Sequence, residues 1–284
     1  MKKPLVIFHA NCRDGMCSAA IMYDYLMGEC ELYPMQYGDT LKAPIKNREI
    51  IMVDFSLPRH DLIQVATEAA SVLILDHHES AAEHLVDLPH NVSFVYQTYL
   101  SGAGITWQHC YQDARMPMIV RYVQDRDLWK FEYHSSKAVN EALAANYPTI
   151  EHWIEDWFAL QDDAFVDSVL APQGEAILMT IEQQVSRIQQ NVVHGDIDGT
   201  PVVVCNSPIL QSELGNSLAN KHQKPAIIWH LKNKEECVLS IRSLDNLSPA
   251  RSLAEHFGGG GHRNAAGCAF NPSEITSDLF GVNL

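Results

Sequence analysis

Val72-Leu73-Ile74-Leu75-Asp76-His77-His78-Glu79 is an apolar run that stops at one carboxylate and two imidazoles. Four consecutive branched apolar residues suit a strand buried on both faces, and polar residues at its end suit the crevice at the carboxyl edge of a parallel sheet. The bland alternative is a polar turn with chance histidines. Two further apolar runs weigh against it. Leu5-Val6-Ile7-Phe8 leads into His9 and then Asp14-Gly15, and Ile50-Ile51-Met52-Val53 leads into Asp54. Three strands that each end in carboxylate or imidazole are what an open α/β sheet presents where it binds ligands, and these side chains are ligands for divalent metals.

The segments between these runs fit that sheet. After a polar loop at 11–15, residues 18–27 place Ala19, Ala20, Met22, Tyr23 and Leu26 on one side, predicting a helix. A strand is expected near 31–36. Pro58 suits the first turn of a helix with Ser56 as its cap, and Leu62, Val65, Ala66 and Ala69 recur at helical spacing. A strand at 92–96 follows, and Ser101-Gly102-Ala103-Gly104 opens a helix through Trp107 and Cys110. Strands alternating with helices predict a parallel sheet with right-handed crossovers. The Asp125-Arg126-Asp127 segment reads, on its own, as a surface cluster of ion pairs with Arg121. Residues 137–160 are expected to be helical, with Trp153, Trp157 and Phe158 as core rather than as a cofactor box.

The pattern changes past Gly174. Ile177, Ile181, Val185 and Ile188 share one helical face, predicting an amphipathic helix that links two lobes. Short strands follow at 202–205, 226–230 and 238–242, with helices at 211–221 and 249–257. The expected organisation is therefore residues 1–174, a linker helix at 175–194, and a smaller mixed α/β lobe at 195–284. That lobe ends in Gly258-Gly259-Gly260-Gly261-His262-Arg263-Asn264-Ala265-Ala266-Gly267. Consecutive glycines let a backbone approach a ligand with its N–H groups exposed, a phosphate-cradling device when positive charge stands beside it, and His262 and Arg263 supply that charge. The plain alternative is a flexible turn.

Composition narrows the function class. The chain has 284 residues and a formal charge of −15. Affinity for long nucleic acid comes mostly from Lys and Arg neutralising phosphates, so long duplexes are not expected partners. The seven cysteines, Cys12, Cys17, Cys30, Cys110, Cys205, Cys237 and Cys268, are odd in number and include no CxxC pair. This argues for a reducing compartment and against a disulfide framework or zinc ribbon. No apolar run approaches the ~18 residues of a membrane span, and the N-terminal run is too short for a signal peptide. A cytoplasmic protein with no membrane partner is expected.

Taken together, Asp76-His77-His78 and the glycine-rich stretch 258–267 make the chain resemble the DHH phosphoesterase superfamily with its DHH-associated C-terminal domain. The resemblance implies an α/β fold in which a parallel-sheet DHH lobe joins a smaller substrate-binding lobe through a helix, with the active site in the cleft between them. It implies a metal-dependent phosphodiesterase with a two-metal site, usually Mn2+, with Mg2+, Zn2+ or Fe2+ as alternatives. Position by position it puts metal ligands at His9, Asp14, Asp54, Asp76, His77 and Asp125, with Asp127 the rival for the last. Asp76, His77 and His78 take the catalytic positions. Gly259, Gly260, Gly261, His262 and Arg263 would hold substrate phosphate, and Arg242 a base or phosphate, its plain reading being a strand-end surface arginine. Where many members carry an Asp two residues before Asp14, this chain has Cys12, a softer ligand that shifts preference from manganese toward zinc or iron. The implied reaction is hydrolysis of short oligoribonucleotides or linear dinucleotides to mononucleotides. Alternatives are a single-strand exonuclease, a cyclic-dinucleotide phosphodiesterase, an inorganic pyrophosphatase, and a nucleotide-binding sensor whose metal site Cys12 has impaired. Oligomeric state is left open, a homodimer included.

Overall fold

The computed structural model describes residues 2–271 and divides into two compact units, residues 1–178 and 179–284, of which 272–284 lie outside the described residues. In the first unit, β1 (Leu5–His9), β2 (Glu31–Met35), β3 (Glu49–Val53), β4 (Ser71–Asp76) and β5 (Val92–Tyr96) form one parallel sheet in the order β2-β1-β3-β4-β5. The central strands are buried on both faces because their side chains alternate between two cores. Val6, Phe8, Ile51, Val53 and Leu75 face one, and Leu5, Ile7, Ile50, Met52, Val72 and Ile74 face the other. Each large aliphatic buried in this way contributes about 1.5–3 kcal/mol. Leu62, Val65 and Ala66 of helix Arg59–Glu68 cover the second face, at the spacing read from the sequence.

The first face carries helices Arg13–Tyr25, Gly102–Tyr111 and Met118–Asp127. The first of these begins at Arg13, five residues before the expected start at 18, so Asp14 and Gly15 lie in a helical turn and not in a loop. The expected helix over 137–160 is three pieces, Ser136–Asn146, Ile150–Glu155 and Trp157–Leu160. Pro148 lacks an N–H and disfavours a helical Tyr147 before it, which ends the first piece. Trp153 and Trp157 are core, as expected, whereas Phe158 is exposed. Helix Ala171–Ile188 then crosses the boundary between the units, so the linker helix lies a few residues earlier than 175–194.

The second unit holds β6 (Val193–Ile197), β7 (Thr200–Asn206), β8 (Ala226–Leu231), β9 (Cys237–Arg242), β10 (Gly260–Gly261) and β11 (Ala265–Phe270) in the order β10-β11-β9-β8-β7-β6. Only β7 and β8 pair in parallel, joined by helix Gln211–His222. That helix covers one face of the sheet with Leu214 and Leu218. Helix Ala250–His256 covers the other with Leu253 and Ala254. Strand β6 was not read from the sequence, and its first two residues, Val193 and His194, fall in the expected linker helix. Its hairpin to β7 turns on Asp198 and Gly199, both at positive φ (49° and 83°), the residue pair that a two-residue hairpin favours. Among the described residues no helix is long and apolar enough to cross a membrane, and all seven cysteines are free thiols.

Candidate metal and phosphodiester site

Sheet order decides where the site falls. From β1 the chain moves outward to β2, then returns to β3 on the other side of β1 and continues to β4. The ends of β1 and β3 therefore flank the point where the connections part, and ligands bind there because no crossover covers it. His9 closes β1, Asp54 follows β3, and Asp76 closes β4 with His77 and His78 after it.

Each side chain is held by a local reason. Gly15 lets helix Arg13–Tyr25 start against the end of β1, since a Cβ there would stand 2.2 Å from the His9 carbonyl oxygen. Asp14 is buried and accepts from the Ser101 hydroxyl (2.7 Å) and the N–H groups of Gly102 (2.6 Å) and Ala103 (3.0 Å). It thus faces the N-terminus of the following helix, where positive partial charge favours a carboxylate. Asp54 has a positive φ of 51°, a backbone state that costs a non-glycine residue about 1–3 kcal/mol and clusters at functional sites. It is accommodated by Gly102, whose absent Cβ would lie 2.4 Å from that of Asp54.

Asp76 holds the turn that carries both histidines. Its Oδ1 accepts from the N–H groups of His77 (2.7 Å) and His78 (3.2 Å), and the His78 Nδ1–H donates to it at 2.8 Å. This fixes the His78 ring. His77 lies among three carboxylates, its Nε2 3.2 Å from Asp54 Oδ1, 3.5 Å from Asp127 Oδ2 and 3.8 Å from Asp14 Oδ2. His9 Nδ1 is 3.6 Å from Asp54 Oδ2. Asp125 is turned away: its carboxylate accepts from the N–H groups of Glu132 and Tyr133 and ties down the next loop. Residues two apart on a helix point about 200° apart, so only one of Asp125 and Asp127 can face the histidines, and it is Asp127. Of the two candidates, Asp127 and not the expected Asp125 lies against the histidines.

Charge is unbalanced in this cluster. Burial opposes ionisation of Asp54, yet the imidazoles of His77 and His9 hold it well below the usual carboxylate range. Burial likewise favours neutral His77, but Asp54, with Asp127 and Asp14, pushes it up to about 10. Burial and the carboxylates of Asp54, Asp127 and Asp14 push the Cys12 thiol up. Both Asp54 oxygens, Asp76 Oδ2, His77 Nε2 and His9 Nδ1 are buried without a well-formed hydrogen bond. Buried polar atoms are normally satisfied, and a divalent cation would satisfy these. Their donors fall into three groups whose ligand atoms lie within 4.8 Å of one another: His9, Cys12 and Asp54; Asp54, His77 and His78; and Asp14, His77 and Asp127. Asp54 and His77 each belong to two groups, which suits a pair of ions. Asp76 belongs to none of the three.

The DHH family, N-terminal domain, matches residues 5–128. This stretch is a DHH domain. Over 94% of its length the chain is 28% identical to the uncharacterized protein R106 of Acanthamoeba polyphaga mimivirus, and over 84% it is 23% identical to the oligoribonuclease NrnB of Bacillus subtilis (strain 168). It spans 67% and 63% of the lengths of these curated relatives. Among solved structures, the pGpG-specific phosphodiesterase PggH from Vibrio cholerae shares the fold with a TM-score of 0.56 and 16% identity, over 96% of this chain and 95% of that one.

The DHH domain also contains a site residue that no motif announced. Tyr37, just beyond β2, is 49% exposed and packs its ring edge-on against His9 (5.3 Å) and His78 (5.7 Å). An isolated aromatic after an edge strand has no sequence signature. The remaining expected residues belong to the second unit. There Gly258, at φ 75°, and Gly259 donate their N–H groups to Glu255 and Ala254 and cap helix Ala250–His256 in the Schellman arrangement. The Gly259 amide is thus committed to the helix and is not part of a phosphate cradle. Gly260 and Gly261 pair with β11, and His262, Arg263 and Asn264 form the hairpin tip. Arg263 is exposed and steadied by the Asp245 carbonyl at 3.0 Å. Arg242 donates to Ser212 Oγ at 2.8 Å and packs over Gly215, where a Cβ would meet its side chain at 2.7 Å.

Proposed function

We propose that the chain is a metal-dependent phosphodiesterase that hydrolyses short oligoribonucleotides or linear dinucleotides to mononucleotides. The observation that carries this reading is the set of buried, partnerless donor atoms on Asp54, Asp76, His77 and His9 at the carboxyl edge of the DHH sheet. The names of NrnB, an oligoribonuclease, and of PggH, a pGpG-specific phosphodiesterase of the same fold, support the substrate class. The donors fit divalent cations, Mn2+ by the oxygen-rich group of Asp14, His77 and Asp127, and a softer ion by the group that contains Cys12. Bound there, such ions lower the pKa of a water and offset the phosphate's charge.

The chain's own residues set the frame for that chemistry. Asp54 and His77 join the donor groups. Asp14 is fixed by the helix N-terminus and cannot swing out. Asp76 orients His78, whose ring is placed beside the attacked phosphate to donate to it or to orient a water. In the second unit, His262 and Arg263 are the proposed grip on substrate phosphate, Arg263 as a bidentate fork, with Gly260 leaving room for it: no atom lies within 4 Å of the position of a Cβ there.

The test is a panel of dinucleotides, cyclic dinucleotides and longer RNA incubated with the purified chain and Mn2+ or Mg2+. Release of mononucleotides from linear dinucleotides, abolished by chelator and restored by metal, is the expected result. Undiminished cleavage in chelator would sink the mechanism, and cleavage of cyclic dinucleotides or long RNA alone would replace the substrate assignment.

A further inference from the structure

We propose that the DHH domain holds a nucleoside 5′-monophosphate in a pocket beside the metal-ligand groups, gripped by Arg13 and Arg126. The inference rests on the proposed phosphodiester chemistry and assigns the place where its mononucleotide product is held.

The pocket has a volume of about 460 Å³, within the roughly 300–1,000 Å³ of small-molecule sites. Cys12, Asp14 and Asp127 belong both to its wall and to the donor groups, so a molecule inside it adjoins the proposed scissile position. The two arginines are chain neighbours of two of those carboxylates, Arg13 beside Asp14 and Arg126 beside Asp127. Each is positioned. Arg13 reaches Glu141 only at 3.5 Å, and its buried Nε has no hydrogen-bond partner. The Arg126 guanidinium lies 4.2 Å from the centroid of the Trp129 ring, which fixes the plane of the fork. Guanidinium forks match phosphate oxygens two at a time.

The rest of the wall is of another kind. Met16, Val123 and Pro148 offer an apolar surface to a base. Asn140 donates both Nδ2 hydrogens, to the carbonyls of Tyr122 (2.8 Å) and Ser136 (2.9 Å), which settles the orientation of its amide. Its Oδ1 is buried without a partner, so Asn140 shapes the wall and does not reach into the pocket. Two cationic forks at the carboxylate end and an apolar wall match a nucleotide better than a bare anion. Because Asp14 and Asp127 repel a phosphate, occupancy should need a divalent cation between them.

Calorimetric titration of the full chain with AMP, adenosine and inorganic phosphate, each with and without Mn2+, tests this. AMP is expected to bind only with Mn2+ and at least about tenfold more tightly than phosphate or adenosine, about 1.4 kcal/mol. Arg13→Gln and Arg126→Gln should each weaken AMP by about tenfold. Ala144→Trp, which fills the pocket from an exposed wall position, should abolish AMP binding while its Mn2+ titration and unfolding midpoint match wild type. AMP affinity unchanged in all three variants, or phosphate binding as tightly as AMP, overturns the proposal. Dinucleotide cleavage with variant-insensitive AMP binding removes the pocket and leaves the proposed function. Variant-sensitive AMP binding without any phosphodiester cleavage does the reverse.

Discussion

Asp54 combines a strained backbone, complete burial and membership of two donor groups, so its loss should be felt in binding and turnover together. Asp54→Asn keeps the shape and removes the charge; kcat/KM should fall at least ~10²-fold, with metal affinity reduced in parallel. Gly102→Ala tests the fit from the other side. The new methyl would press on Asp54, so the same measurement should fall although no ligand has changed. Cys12→Asp should raise affinity for Mn2+ relative to Zn2+, read by competitive metal titration. Coincident titrations of the two proteins would make Cys12 a packed thiol. Most of these residues were legible in the sequence, because carboxylate or imidazole directly after an apolar strand has few structural uses. The choice between Asp125 and Asp127 was not. Both are carboxylates in one short segment, and only the phase of the helix turns one to the histidines and the other to the loop.

Helix boundaries hold most of the differences between expectation and structure. The polar stretch from Asn11 to Gly15 reads as a loop, yet the helix starts at Arg13 because Gly15 permits contact with the end of β1 and Asp14 accepts hydrogen bonds from another helix's N-terminus. Neither partner is local in sequence. Gly15→Ala should therefore destabilise the first unit by about 1–3 kcal/mol, the range of overpacking, seen as a lower denaturant midpoint with little change in slope. The four glycines carry a different lesson. Gly258 serves a left-handed helix cap and Gly259 a close approach, its Cβ position 2.3 Å from the Gly267 carbonyl oxygen. Gly258→Ala should cost about 1 kcal/mol of stability and leave phosphate binding by the hairpin tip intact. A loss of substrate affinity without a loss of stability would restore a ligand-cradling role to this glycine.

Across the whole chain, the acidic charge of −15 opposes the binding of long polyanions and favours cations. Divalent metal should raise the unfolding temperature of the first unit. A site present only in the folded chain adds about 2.7 kcal/mol at a free metal concentration of 100 Kd. Absence of any shift with Mn2+, Mg2+ or Zn2+ would contradict the donor groups. Turnover should fall as RNA lengthens from two to about ten nucleotides, a range that exceeds the ~4-nucleotide lower end of single-strand sites. A flat or rising profile would favour the exonuclease alternative. What the sequence alone determined was the parallel sheet of the first unit and most of the metal-ligand candidates, because burial on two faces and ligands at strand ends are patterns local to each segment. What only the tertiary structure decided was which side chains meet. His77 among Asp14, Asp54 and Asp127, the glycines that admit them, Tyr37 against two imidazoles and the commitment of the Gly259 amide all depend on contacts between segments far apart in sequence, whose distances no local pattern encodes.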